Sequence, residues 1–274
     1  MGKRILVSVI FVPIIFLVLF GIAPTYPLVL PILVALLSII AVHEVLWSTG
    51  FLRSAPVSAA SLVLAGVIPF WVYGGGNEAW AMTGLLLYVV VLFAAAIASR
   101  QTLTTEKMGG AFFFSVFIPF FLSSFVRIRA MEGWQFMILL PFLAAFMSDA
   151  CALFAGMLFG KHKLAPVLSP KKTVEGAVGG FLGSVAALLI YGAVLQFGFE
   201  LRVSYPLLAL YGALGSVISQ LGDLSFSYIK REYKLKDYGR IFPGHGGVLD
   251  RFDSVLFCAP LIETLLRCLP AISF

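Results

Sequence analysis

Apolar runs of about twenty residues, separated by short polar breaks, recur along the whole chain. A helix of that length crosses the hydrocarbon of a bilayer. Inside lipid only a helix or a closed barrel satisfies its own backbone polar groups. The period-two alternation of a barrel strand is absent, so each run reads as a helix. The pattern predicts about nine spans. They are placed at Ile5 to Ile22, Leu28 to Trp47, Pro56 to Val72, Ala79 to Ala98 and Gly109 to Val126. Four more follow at Phe136 to Phe159, Val174 to Phe197, Pro206 to Ile229 and Val248 to Leu269. The opening Met1-Gly2-Lys3-Arg4 before an apolar run is the start of a leader-like pattern, but no small-x-small cleavage site follows. It is read as a first retained span. The expected fold class is therefore all-α, a polytopic membrane bundle.

Composition agrees with the pattern. Of 274 residues 61% are hydrophobic and 12% are charged. Soluble domains run near half apolar and about a quarter charged. Too little polar surface remains to cover a water-soluble globule of this size.

The net charge of +6 is distributed unevenly. With the N-terminus on the cytoplasmic side, all but four of the 19 basic residues fall on inner segments. Those four are Arg127, Arg129 and Arg202, with Arg267 near an outer helix end. This is the positive-inside asymmetry. It puts the loop from Lys161 to Lys172 and the loop from Lys230 to Gly247 on one side. An anionic substrate is the second reading of the same excess.

Polarity within the spans is lopsided too. The first five carry almost no charge, Glu44 excepted, whereas later ones carry Asp149, Glu175, Asp223, Asp250, Asp253, Glu263 and Arg267. Residues 1–130 are read as scaffold and 131–274 as the working half. His43-Glu44 has neither the spacing nor the setting of a zinc site. It is read as structural, such as a buried hydrogen-bonded pair, and an amide at Glu44 is expected to be tolerated. Cys151, Cys258 and Cys268 have no disulfide or zinc spacing and read as small buried apolar side chains.

Ionisable side chains inside spans mark function. On one helix Asp223, Ser227 and Lys230 share a face at offsets of four and then three, and Arg231 follows Ser227 by four. The alternative is an internal salt bridge with the cations snorkelling to the interface. Next comes Lys236-Asp237-Tyr238-Gly239-Arg240, then His245-Gly246-Gly247 and Asp250-Arg251-Phe252-Asp253. Glycines let backbone amides approach an anion, basic side chains bind phosphate, and carboxylates beside them suit Mg²⁺. A glycine turn with a helix cap is the simpler reading. His245 is either a general base or the residue that orients this turn. A third segment, Ser169-Pro170-Lys171-Lys172-Thr173-Val174-Glu175-Gly176, is either a helix start or a second phosphate-contacting loop.

The run from Ser227 through Lys230-Arg231, Lys236-Asp237, Gly239, Pro243, His245-Gly246-Gly247, Asp250-Arg251 and Asp253 resembles the signature of the phosphatidate cytidylyltransferase family. The 169–176 segment and the stretch from Asp149 to Pro166 are similar to other family features. After Asp149 the chain departs, reading Ala150-Cys151-Ala152-Leu153 where the family has a small residue, alanine and an aromatic. The resemblance covers about residues 140 to 255. It implies transfer of a cytidylyl group from CTP to phosphatidic acid, giving CDP-diacylglycerol and pyrophosphate at the inner face of a bacterial membrane.

By the same resemblance, Asp223 and Asp250 would hold Mg²⁺, with Asp253 and Asp149 as further ligand candidates and a second cation at the same site. Lys230, Arg231, Lys236 and Arg251 would neutralise phosphates. Ser169, Lys171, Lys172, Thr173, Ser227, Asp237, Gly246 and Gly247 would contact substrate. A homodimer is implied as well. The rival readings are a CTP-dependent polyprenol or phytol kinase, an ether-lipid cytidylyltransferase and, from another class, an ion or proton transporter. A transporter favours mid-bilayer charge and inverted repeats, and no repeat is present. Asp223→Asn and Asp250→Asn are each expected to leave the protein inserted and folded but to abolish Mg²⁺-dependent turnover, measured on purified protein in detergent.

Overall fold

The computed structural model describes residues 17–51, 54–99, 103–239 and 246–273. After a short π-helical stretch, Leu17–Ile22, eight long helices follow. They are α1 (Val29–Ser48), α2 (Ala55–Tyr73), α3 (Glu78–Ala98), α4 (Thr105–Leu122), α5 (Leu140–Phe159), α6 (Val174–Phe199), α7 (Tyr205–Glu232) and α8 (Leu249–Cys268). Short helices Ser124–Arg129 and Trp134–Met137 extend α4 and precede α5. Seven helical segments, Val29–Ser48 through Tyr205–Glu232, are long and apolar enough to cross a membrane. They coincide with the second to eighth expected spans. The first expected span lies mostly outside the described residues. The ninth forms as the 20-residue helix α8, whose Asp250, Arg251, Asp253, Glu263 and Arg267 set it apart in composition.

The described chain forms two compact units. Met1–Arg127 and Leu235–Arg251 make one, and Ile128–Lys234 with Phe252–Phe274 make the other. In the first unit α1, α2 and α4 pack together and α3 packs on α2. Its core holds Leu30, Val34, Ala41, Val45, Ala65 and Ile118. One polar knot crosses this apolar interior. The Tyr88 hydroxyl of α3 lies 2.7 Å from Ser61 Oγ of α2 and 3.1 Å from Ser115 Oγ of α4. Paired this way, the hydroxyls join three helices without an unmet donor in lipid.

In the second unit α6 packs against both α5 and α7. Small residues permit this. A Cβ at Gly180 would lie 2.6 Å from the Ser148 carbonyl oxygen, and one at Gly212 would lie 2.7 Å from Val185 Cα. Between the helices Ser148 Oγ and Ser216 Oγ are 2.7 Å apart, and the Gln220 amide donates to Ser216 Oγ at 3.0 Å and to the Ala177 carbonyl at 3.2 Å. Helix α8 lies along α7, with Phe257 edge-on to Phe226 at 6.2 Å between ring centroids. Two small antiparallel pairings complete the unit. Strand β1 (Lys163–Ala165) pairs with β2 (Ser169–Thr173), and β3 (Arg202–Val203) pairs with β4 (Ile272–Ser273). Of the cysteines, Cys258 is buried as expected, Cys151 is half-buried and Cys268, at the end of α8, is exposed.

Backbone cannot yield to a new side chain as a flexible side chain can. Gly212→Val should therefore wedge α6 from α7 and destabilise the bundle by about 1–3 kcal/mol. Gly198→Ala, at a position with open space around it, should be neutral. Thermal unfolding in detergent compares the two.

Candidate functional site

Acidic side chains of the second unit converge near the C-terminal end of α7. Asp223 forms an ion pair with Lys172 of β2, each side chain about one quarter exposed (25%). Ser227, one turn on, donates to Asp223 Oδ1 at 3.4 Å. Asp253 of α8 is buried and feels the charges of Asp223, Lys230 and Asp149. Ser254 links two of these acids: its N–H donates to Asp253 Oδ1 at 2.9 Å and its hydroxyl to Asp149 Oδ2 at 2.8 Å. Lys172 pairs with Asp223, and Lys230 supplies further positive charge beside this group of acids.

Lys172 reaches Asp223 because the β1–β2 hairpin is tied down at both ends. Thr173 is the N-cap of α6, accepting the Gly176 N–H at 3.1 Å. Glu175, in the first turn, accepts the Lys161 N–H at 3.1 Å, the His162 N–H at 3.2 Å and lies 2.6 Å from His162 Nδ1. A carboxylate there also meets the positive end of the helix dipole. At the hairpin turn Arg231 Nε donates to the Leu168 carbonyl at 3.2 Å, fastening the turn to the end of α7.

The glycine-rich segment belongs to the first unit. Asp250 Oδ2 accepts the Gly247 N–H at 2.9 Å, three residues back, and the Tyr238 N–H at 2.8 Å. The first contact ties the residue just ahead of the helix start back to the first turn of α8. Gly246 has φ +85°, and a Cβ there would stand 2.7 Å from Asp250 Oδ2. Glycine is thus required twice over, by conformation and by space. Glu44 of α1 is buried and hydrogen-bonded, as its sequence setting implied, yet its partners are distant in sequence. Its two oxygens accept the Val248 N–H at 3.0 Å and the Leu249 N–H at 2.9 Å. His43 instead stacks on Trp47, 5.8 Å between centroids.

The structure thus brings together Asp149, Asp223, Asp253, Ser227, Lys172 and Lys230 in one unit. It places Asp250, Gly246, Gly247 and Tyr238 together in the other. Ser169 and Lys171 lie on β2 beside Lys172, with Lys171 exposed. Lys236, Asp237 and Arg251 are exposed in the first unit. His245, Arg240 and Pro243 lie outside the described residues. Sequence reasoning overlooked Ser254, which carries no motif, and the reach of Glu44. The signal for Glu44 was present, since an isolated acid in a span needs a partner.

Every candidate metal ligand is a carboxylate oxygen, the donor that hard cations take. Among the described residues no group of three or more acidic, His or Cys side chains stands ready to hold an ion alone. Mg²⁺ is commonly held by one or two carboxylates together with substrate phosphates. The carboxylate donors present suit a hard cation that takes further oxygen ligands from elsewhere.

A family model described as "Cytidylyltransferase family" matches residues 2–269. The chain belongs to that family. Several bacterial proteins similar to it bear the name phosphatidate cytidylyltransferase. One from Staphylococcus epidermidis is 34% identical over 241 residues, covering 87% of this chain and 90% of that protein. One from Bacillus subtilis is 36% identical over 182 residues, 66% of either chain. One from Staphylococcus haemolyticus is 47% identical over 129 residues, 47% of this chain and 48% of that protein.

Removing the ammonium that faces Asp223 should matter more than removing an exposed one. Lys172→Met is expected to lower kcat/KM for CTP by at least about tenfold, ~1.4 kcal/mol. Lys163→Met, on the exposed β1 strand, should stay near wild type in the same assay.

Proposed function

We propose that this membrane enzyme transfers the cytidylyl group of CTP to phosphatidic acid, releasing pyrophosphate and leaving CDP-diacylglycerol in the bilayer. The observation that carries the reading is the group of Asp149, Asp223 and Asp253 interleaved with Lys172 and Lys230, in a chain of the cytidylyltransferase family. Such a group suits polyanion chemistry, because it offers cations to phosphates and carboxylates to a metal that phosphates share.

In this reading a phosphate oxygen of phosphatidate attacks the α-phosphorus of CTP. A new P–O bond forms there. The bond from the α-phosphorus to the bridging oxygen breaks, and its electron pair leaves with pyrophosphate. Phosphatidate is already ionised, so no strong base is needed. Both reactants are anions, and the work of the site is to neutralise and align them. Lys172, Lys230 and Arg231 bind the triphosphate and the departing pyrophosphate. Lys171 and Ser169 on β2 hold the nucleotide or the lipid phosphate. Ser227 and Ser254 orient the carboxylates of Asp223 and Asp149. Asp223 in one unit and Asp250 in the other are each carried over from the family resemblance as Mg²⁺ ligands, and the ion, when bound, would supply charge neutralisation on the phosphates.

The site is assigned to the cytoplasmic face of a bacterial inner membrane, where CTP arrives from water and phosphatidate from the inner leaflet. Support comes from the basic hairpin and the basic end of α7, which the charge asymmetry puts inside. A homodimer is carried over from the family resemblance.

The test is an assay of purified protein in detergent with labelled CTP, phosphatidate and Mg²⁺. Equal yields of cytidine-labelled lipid and pyrophosphate are expected. CDP release on supplying a polyprenol or phytol, with phosphatidate inert, would move the chain to the kinase reading. Silence with every lipid, in folded protein, would return attention to transport.

A further inference from the structure

Glu44 sits in the half of the chain that carries little other intramembrane charge, yet it grips the start of α8. One carboxylate oxygen takes the Val248 N–H and the other the Leu249 N–H. Those are among the N–H groups that a helix start leaves without an intrahelical partner. The anion also faces the positive end of the α8 dipole. Around it the backbone closes in. A side chain at Gly239 or Gly247 would run into the Glu44 carboxylate, and a Cβ at Gly239 would also lie 3.0 Å from Gly247 Cα. Two glycines of the signature segment are therefore small because Glu44 fills the space beside them.

The same segment carries Asp250. Its Oδ2 is held by the N–H groups of Gly247 and Tyr238. Gly247 is thus pressed on one side by Glu44 and bound on the other to Asp250. Displacing the Glu44 carboxylate releases Val248 and Leu249, the residues between Gly247 and Asp250, and with them the direction in which Asp250 points.

We infer that Glu44 is a positioning residue for the reaction: it locks the strap of residues 246–250 and thereby aims Asp250. The inference rests on the proposed function, in which Asp250 serves catalysis. It makes the scaffold half of the chain part of the working machinery, through α1. Against the expectation from sequence that an amide is tolerated, an amide cannot replace the acid here. Gln offers one acceptor oxygen to two N–H donors and sets an NH₂ group against the second.

The experiment compares wild type, Glu44→Gln, Glu44→Asp and, as a neighbouring control, His43→Ala. Steady-state kinetics are normalised to folded protein and paired with amide hydrogen exchange of the 246–251 segment. Glu44→Gln is expected to lower kcat by at least about tenfold, with KM for CTP and for phosphatidate near wild type. Faster exchange should be confined to the strap. Glu44→Asp keeps the charge but withdraws it by one methylene, and should fall between Gln and wild type. His43→Ala should match wild type. A merely structural Glu44 would lower the melting temperature and leave kcat per folded molecule unchanged, and that result overturns the inference. If Glu44→Gln does not fold, Glu44→Asp with wild-type kcat overturns it equally. Inactive wild-type protein would instead count against the proposed function. The exchange measurement would then still decide whether Glu44 locks the strap, and unchanged exchange in the variants would reject it.

Discussion

A carboxyl group enclosed in an apolar helical bundle is costly unless N–H groups, hydroxyls or cations meet its oxygens. Much of the local architecture follows from that requirement. Glu44 is met by two backbone N–H groups at the start of α8, and Asp250 by two more. Asp149 and Asp253 share Ser254 as a donor, and Asp223 faces Lys172. Each of these contacts joins segments that are far apart in the chain or fixes the first turn of a helix. Removing a partner leaves a buried polar group unmet, which costs stability.

The helices must approach closely for these short side chains to reach one another. In the second unit that approach depends on small residues along α6 and α7, which let the Ser148–Ser216 contact and the Gln220 amide bridge helices directly. Without a hydrophobic driving force between helices in lipid, close packing and interhelical hydrogen bonds must supply the association. The result is a closely packed helical frame beside Asp149 and Asp223.

On the proposed reading, the reaction gives a reason for a membrane bundle to carry a basic hairpin. One substrate is soluble and triply phosphorylated, the other is held by its acyl chains in the bilayer. Their meeting place must be polar and cationic while its walls stay apolar. The β1–β2 hairpin, anchored by Thr173, Glu175 and Arg231, brings lysine to the acids without placing it on a lipid-facing helix surface.

Much was legible in the chain before any coordinates. Runs of apolar residues long enough to span a bilayer depend only on local composition, and seven of the expected spans stand in the structure at nearly the expected places. The one-face spacing of Asp223, Ser227 and Lys230 followed from helical periodicity, and the family from a long spaced signature. What periodicity cannot carry is which segments meet. That Lys172 faces Asp223, that Ser254 links Asp149 to Asp253, and that Glu44 holds the start of α8 some 204 residues later are decisions of tertiary packing. They arise because a buried charge accepts whichever donor the fold delivers. That donor is often a backbone N–H, which every residue but proline possesses and which therefore leaves no mark in the sequence.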